Sequence, residues 1–128
     1  HVLVGKNFLI AEDNGINLDM LKELLKEEGA ACDCAKNGMA AVDLFRHSKK
    51  GQYDLIFMDV QMPDMDGYEA TRAIRQMKHP DAKDIPIVAM TANAFSNDVK
   101  AAFDCGMNAH LAKPVNIDRI KDIVANFT

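Results

Sequence analysis

A chain of 128 residues, 48% of them hydrophobic, suits one domain around one core, so residues 1–128 are read as a single domain. A formal net charge of -4 argues against a nucleic-acid surface, which needs a basic patch; the short pair Lys49-Lys50 falls in an expected loop, where charges serve solvation. No apolar stretch approaches the roughly 18 residues that span a membrane, and three cysteines without framework spacing point to unpaired thiols in a reducing, cytoplasmic setting.

The chain opens on His1 without a methionine, which predicts excision from a longer polypeptide. Strand and helix patterns then alternate throughout. Asn7–Ala11 reads as a first strand and runs straight into Glu12-Asp13. A helix is expected over Ile16–Glu28, with Ile16, Met20, Leu21, Leu24 and Leu25 on one face and Gly29 closing it. Ala30–Ala35 reads as a short second strand. Its Cys32 and Cys34 are alternating small side chains, unaccompanied by a His or Cys pair at zinc spacing. Met39–His47 is a second helix, apolar at Ala41, Val42, Leu44 and Phe45.

Asp54–Met58 is apolar on both sides, as a central parallel strand must be, and Asp59 closes it. The loop Val60-Gln61-Met62-Pro63-Asp64-Met65-Asp66-Gly67 follows, then a helix over Tyr68–Met77. Ile85–Met90 is a fourth strand ending at Thr91, with Pro86 near its start, where a missing N–H is tolerated. Ser96–Cys105 is a fourth helix, capped by Ser96 or Asn97, with Gly106 just past its end. Ala109–Ala112 is a fifth strand running into Lys113-Pro114, and Ile117–Asn126 is a last helix capped by Asn116. The eight methionines mostly follow helix faces and the loop at Met62 and Met65, which suits core filling and adaptable contacts rather than a soft-metal site.

Five strands alternating with five helices predict an α/β domain, a flavodoxin-like (βα)5 doubly wound parallel sheet in the order 2-1-3-4-5. Strands one and three then meet at the switch point, and Glu12, Asp13 and Asp59 converge at their carboxyl ends. Three like charges require neutralisation, and Mg2+ provides it with few protein ligands while keeping waters and room for phosphate oxygens. Asp13 and Asp59 are the expected direct ligands, Glu12 acts through a bound water, and the backbone carbonyl of Gln61 is a candidate third ligand. Lys113 offers a point charge to a phosphoryl oxygen, and the Thr91 hydroxyl can donate to another. Asp59 is then placed as the nucleophile that forms an aspartyl phosphate. Each group also has an ordinary structural reading: Asp59 a loop acid, Glu12 and Asp13 a turn, Thr91 a local cap, Lys113 a solvated lysine. Their joint placement at four strand ends favours the site.

Four segments carry a resemblance over nearly the whole chain: Leu9-Ile10-Ala11-Glu12-Asp13-Asn14, Met58 through Gly67, Ala89-Met90-Thr91-Ala92, and Gly106 through Pro114. Together they resemble the receiver domain of two-component response regulators. The resemblance implies that Asp59 is the phosphoacceptor, that Glu12 and Asp13 hold Mg2+, and that Thr91 and Lys113 contact the phosphoryl group. It also implies a cis Lys113-Pro114 bond. The wording Met58 through Thr71, with Met90-Thr91-Ala92-Asn93-Ala94-Phe95, is similar to receivers attached to hybrid sensor histidine kinases. These take phosphate from a kinase histidine, possible within one polypeptide, and pass it to a histidine phosphotransfer domain. A stand-alone regulator is the alternative.

One position departs from the common pattern. Three residues before Lys113, where receivers often carry Tyr or Phe, stands His110. It is read either as a surface imidazole or as a titratable switch or partner-contact residue, working with Thr91. The fourth helix, fifth strand and fifth helix form the expected readout face, and Gln61 and Asn93 are expected to influence the lifetime of the aspartyl phosphate. Three rival readings stand beside this one. An aspartyl phosphatase would need an acid where Gln61 stands and an insertion to hold its substrate. A flavin or nucleotide binder would need a Gly/Ser/Thr-rich loop where Glu12-Asp13-Asn14 stands. A non-phosphorylated docking receiver would not need an intact site.

Overall fold

The computed structural model describes residues 2–92 and 96–127. The elements in chain order are β1 (Asn7–Ala11), α1 (Gly15–Glu27), β2 (Ala31–Ala35), α2 (Gly38–Arg46), β3 (Leu55–Asp59), α3 (Gly67–Gln76), β4 (Ile87–Thr91), α4 (Ser96–Cys105), β5 (Ala109–Ala112) and α5 (Ile117–Phe127). All five strands pair in parallel in the order β2-β1-β3-β4-β5, as the alternation predicts.

The strands are uniformly apolar at the centre because both faces of the sheet are covered; every residue of β3 and of β4 is buried. One core packs Leu18, Leu21 and Leu25 of α1 and Ile120, Ile123 and Val124 of α5 against Phe8, Ile10, Phe57 and Val88. The other packs Val42 and Phe45 of α2, Ala70 and Ile74 of α3, and Ala102 and Cys105 of α4 against Leu9, Ile56, Met58 and Ile87. Helices α1 and α5 therefore cover one face, and α2, α3 and α4 the other.

Local signals set the helix ends. The Asn14, Asn37 and Asp66 side chains accept from backbone N–H groups at 3.0, 2.7 and 2.9 Å, capping α1, α2 and α3. Asn116 does the same for α5, from Asp118 N at 2.8 Å. The cap expected at Ser96 or Asn97, and Asn93 with it, lie outside the described residues and side chains.

Three expectations need correction. The inward face of α1 is Leu18, Leu21 and Leu25, whereas Ile16 and Met20 are 73% and 55% exposed. Ile16, Met20 and Leu24 form a separate stripe one position off, turned away from the sheet by the seat of α1. Strand β3 starts and ends one residue later than the expected Asp54–Met58, with Asp59, which was expected to close the run, as its last residue. Pro86 precedes β4 instead of lying within it; its carbonyl accepts from Ile56 N at 2.9 Å.

Candidate phosphoacceptor site

Parallel pairing aligns the carboxyl ends of four strands. Ala11 is in register with Met58, Asp59 with Met90, and Thr91 with Ala112, so the residues that follow them share one rim. Glu12 and Asp59 are each 2% exposed, Thr91 is buried, and Asp13 faces solvent. One carboxylate oxygen from each of Glu12, Asp13 and Asp59 lies within 4.8 Å of the others. They line an open cleft with Asn14, Gln61, Tyr68 and Lys113.

Lys113 bridges the two buried acids. Its Nζ donates to Asp59 Oδ2 at 2.8 Å and lies 2.9 Å from Glu12 Oε2. The Lys113-Pro114 peptide bond is cis, as the resemblance implied. The Asp59 carboxylate is held from its other side by Gln61 N, which donates to Oδ1 at 3.1 Å. Glu12 Oε1 likewise accepts from Asn14 N at 3.1 Å.

Burial raises the Glu12 pKa, and the neighbouring Asp59 adds to the effect while Lys113 pulls the other way. Burial alone would lower the Lys113 pKa, but Asp59 and Glu12 together outweigh it and hold the ammonium above its ordinary value. One ammonium against three carboxylates leaves the rim with excess negative charge. That imbalance, the all-oxygen donor set and the open side at Asp13 fit a hard divalent cation.

Backbone contacts keep the acid in place. Gly67 N donates to Val60 O at 3.1 Å, drawing the start of α3 onto the end of β3. A Cβ on Gly67 would meet the Asp59 carbonyl oxygen at 2.2 Å, so this crossing admits only glycine. In the loop between them, Asp64 adopts a φ of 68°, the left-handed region that aspartate tolerates better than most residues. Lys113 N donates to Thr91 O at 2.8 Å, tying the two strand ends that carry the lysine and the hydroxyl.

All five residues singled out from the sequence thus stand on one rim. Gln61 contributes its amide to Asp59, alongside the carbonyl proposed as a ligand. His110 is half-buried in β5, in register with Ala89. Asn17, which the sequence reading passed over, lines the cleft next to Glu12 and Lys113; its place three residues after the Asn14 cap was the available signal.

The chain belongs to the response regulator receiver domain family, whose pattern matches residues 8–125. It superposes on the receiver domain of the sensor histidine kinase PA1611 from Pseudomonas aeruginosa PAO1 with a TM-score of 0.86 and 33% identity, over 97% of this chain and 98% of that one. That structure holds a magnesium ion coordinated in its active site cleft. A chain of the Saccharomyces cerevisiae complex between the histidine phosphotransfer protein Ypd1 and the receiver domain of its downstream response regulator Ssk1 matches with a TM-score of 0.82 and 33% identity, over 95% of this chain and 88% of that one. Among curated relatives, probable histidine kinase 2 of Oryza sativa subsp. indica is 39% identical over 133 residues, and hybrid signal transduction histidine kinase L of Dictyostelium discoideum 37% over 126. The matches take in 95% and 98% of this chain but only 13% and 7% of those relatives' lengths. The protein is therefore a receiver domain of two-component phosphorelay signalling, related to the receivers of hybrid histidine kinases.

Proposed function

We propose that Asp59 accepts a phosphoryl group from a phosphohistidine of a histidine kinase and yields it to a histidine phosphotransfer partner, with Mg2+ required. The observation that carries this is the Lys113 ammonium lying between Asp59 and Glu12 at 2.8 and 2.9 Å, on a rim with three converging carboxylates. In the forward step a carboxylate oxygen of Asp59 forms a P–O bond as the P–N bond to the donor imidazole breaks, and the imidazole keeps the electron pair. Lys113 follows the charge from the carboxylate to a phosphoryl oxygen, and the Thr91 hydroxyl donates to a second. Gln61 N keeps the carboxylate oriented throughout. Asp13, Asp59, Glu12 through water, and the Gln61 carbonyl would hold Mg2+, which supplies charge neutralisation at the phosphoryl oxygens.

The partner assignment draws on the kinase relatives and on the Ssk1 receiver, which is bound by a phosphotransfer protein. It also draws on the stripe Ile16, Met20 and Leu24, exposed at Ile16 and Met20, of which Met20 and Leu24 lie beside Pro114 and Val115. Thr91 and His110 are the switch pair in this reading, and the exposed Phe103 lies on the α4 face expected to read the switch. No helix among the described residues is long and apolar enough to cross a membrane, and we place the domain in the cytoplasm, as the soluble part of a longer sensor kinase. A stand-alone regulator would use the same site.

Intact mass after incubation with acetyl phosphate and Mg2+ tests the chemistry. One added phosphoryl group, absent without Mg2+ and absent in Asp59→Asn, is the expected result. Absence of an adduct, together with failure to bind the phosphoryl mimic beryllofluoride, would overturn it. The role of His110 is lost if His110→Ala leaves both the phosphotransfer rate and partner affinity unchanged.

A further inference from the structure

Two helices start alike. Asn14 caps α1 and Gly15 follows it; Asn37 caps α2 and Gly38 follows it, the two caps accepting a backbone N–H at 3.0 and 2.7 Å. Neither glycine has a positive φ, so the backbone at both positions accepts an ordinary side chain. Their surroundings differ. A Cβ on Gly15 would meet nothing within 4 Å. A Cβ on Gly38, which is buried, would collide with the Met65 carbonyl oxygen and stand 3.0 Å from Met65 Cγ and 3.2 Å from the Met65 carbonyl carbon. Capping requires neither glycine. The passage of the Met65 backbone over the first turn of α2 requires Gly38.

Met65 belongs to the loop that carries Gln61. Gly67 N ties the far end of that loop to Val60 O at 3.1 Å, and Met65 N donates to Pro63 O at 2.8 Å within it. At the near end, Gln61 N donates to Asp59 Oδ1 at 3.1 Å. A side chain at position 38 must displace either α2 or this loop. Helix α2 is seated by Ala41, Val42 and Phe45, all buried in the core. In the loop, Gln61, Pro63 and Asp64 are exposed, so the loop is the softer of the two. Its far end is pinned where Gly67 crosses Asp59, and the displacement runs toward Gln61.

We propose that Gly38 is a positioning residue for phosphoryl acceptance. By leaving room for the Met65 backbone it sets the β3–α3 loop so that Gln61 N holds the Asp59 carboxylate in its attacking orientation. Gly38 touches neither the phosphoryl group nor the metal and acts through Met65. The proposal rests on Asp59 as the phosphoacceptor and adds a residue from α2 that the rim itself does not contain.

Amide NMR spectra of the whole chain, with intact mass followed over time in acetyl phosphate and Mg2+, test this. Gly38→Ala should shift the Gln61 amide signal and slow acceptance by the folded protein roughly tenfold. Gly15→Ala should change neither the Gln61 signal nor the rate. Met65→Ala trims the same contact from the loop side and serves if Gly38→Ala does not fold; it should move the same amide signal and slow acceptance about twofold to threefold. The double variant should be slowed by less than the product of the two single effects, because both act at one contact. An unmoved Gln61 signal in both single variants, or effects that simply multiply, would overturn the proposal while a parent that accepts phosphate leaves the phosphoacceptor reading standing. A parent that takes no phosphoryl group would end that reading and this assignment with it.

Discussion

The two ends of the sheet are built on opposite electrostatic terms. At the carboxyl end, three carboxylates share one ammonium. At the amino end, polar side chains are matched by backbone. Arg75 of α3 donates to Gly106 O at 3.0 Å, Ala82 O at 2.9 Å and Asn108 Oδ1 at 2.8 Å, and Asn108 Oδ1 also accepts from Ile87 N at 2.9 Å. His79 lies on the Phe45 ring with a 4.4 Å centroid distance; its Nε2 reaches Ser48 O at 2.9 Å and its Nδ1 accepts from Asp81 N at 3.0 Å. One end holds the loops in place, and the other keeps an excess of negative charge. On the proposed function, the chemistry falls to the carboxyl end.

The sharpest break between the ends comes from Asp59→Asn. Phosphoryl acceptance should vanish, while unfolding free energy changes by no more than about 1 kcal/mol, because losing the lysine pair is offset by relief of carboxylate repulsion. Denaturant titration beside the mass assay checks both halves. Arg75→Ala should do the reverse. Removing three hydrogen bonds from a half-buried guanidinium should cost about 3 kcal/mol, with acceptance by the folded fraction retained. If Arg75→Ala instead abolished acceptance at unchanged stability, the division between the ends would fail.

Gly67→Ala tests whether the carboxyl end is loosely packed as well as unbalanced. The 2.2 Å approach to the Asp59 carbonyl says that it is not. The added methyl should cost about 2 kcal/mol by forcing the α3 start off β3, and the displaced Asp59 should accept phosphoryl groups more slowly. Equal stability and rate would show that the crossing relaxes freely.

The carboxyl end was legible because strand patterning fixes chain order, and chain order fixes which strand ends meet. Glu12, Asp59, Thr91 and Lys113 each directly follow or close an apolar run, and Asp13 comes next after Glu12, so one topological rule brings them together. The amino end was not. Arg75 and Asn108 are 33 residues apart, and neither sits in a pattern that announces a partner. The face of α1 was misread for a related reason. Ile16, Met20 and Leu24 repeat as regularly as Leu18, Leu21 and Leu25, and only the seat of the helix on the sheet separates the exposed row from the buried one.

The smallest effect is expected at Tyr53, which ties the entry to β3 to the edge strand by donating to Asp33 Oδ2 at 2.7 Å. Burial raises the phenol's pKa, and the Asp33 carboxylate raises it further. The folded state thus holds this proton more tightly than the unfolded chain does. The contribution is fully present below the unfolded value of about 10 and is lost as pH rises beyond it. Tyr53→Phe should therefore cost about 1 kcal/mol at neutral pH. The gap to the parent should close in denaturant titrations at about pH 11, where the parent must retain or surrender a proton that phenylalanine never had. A gap that stayed constant across that range would mean that packing of the ring, and not the bond to Asp33, holds this corner of the amino end together.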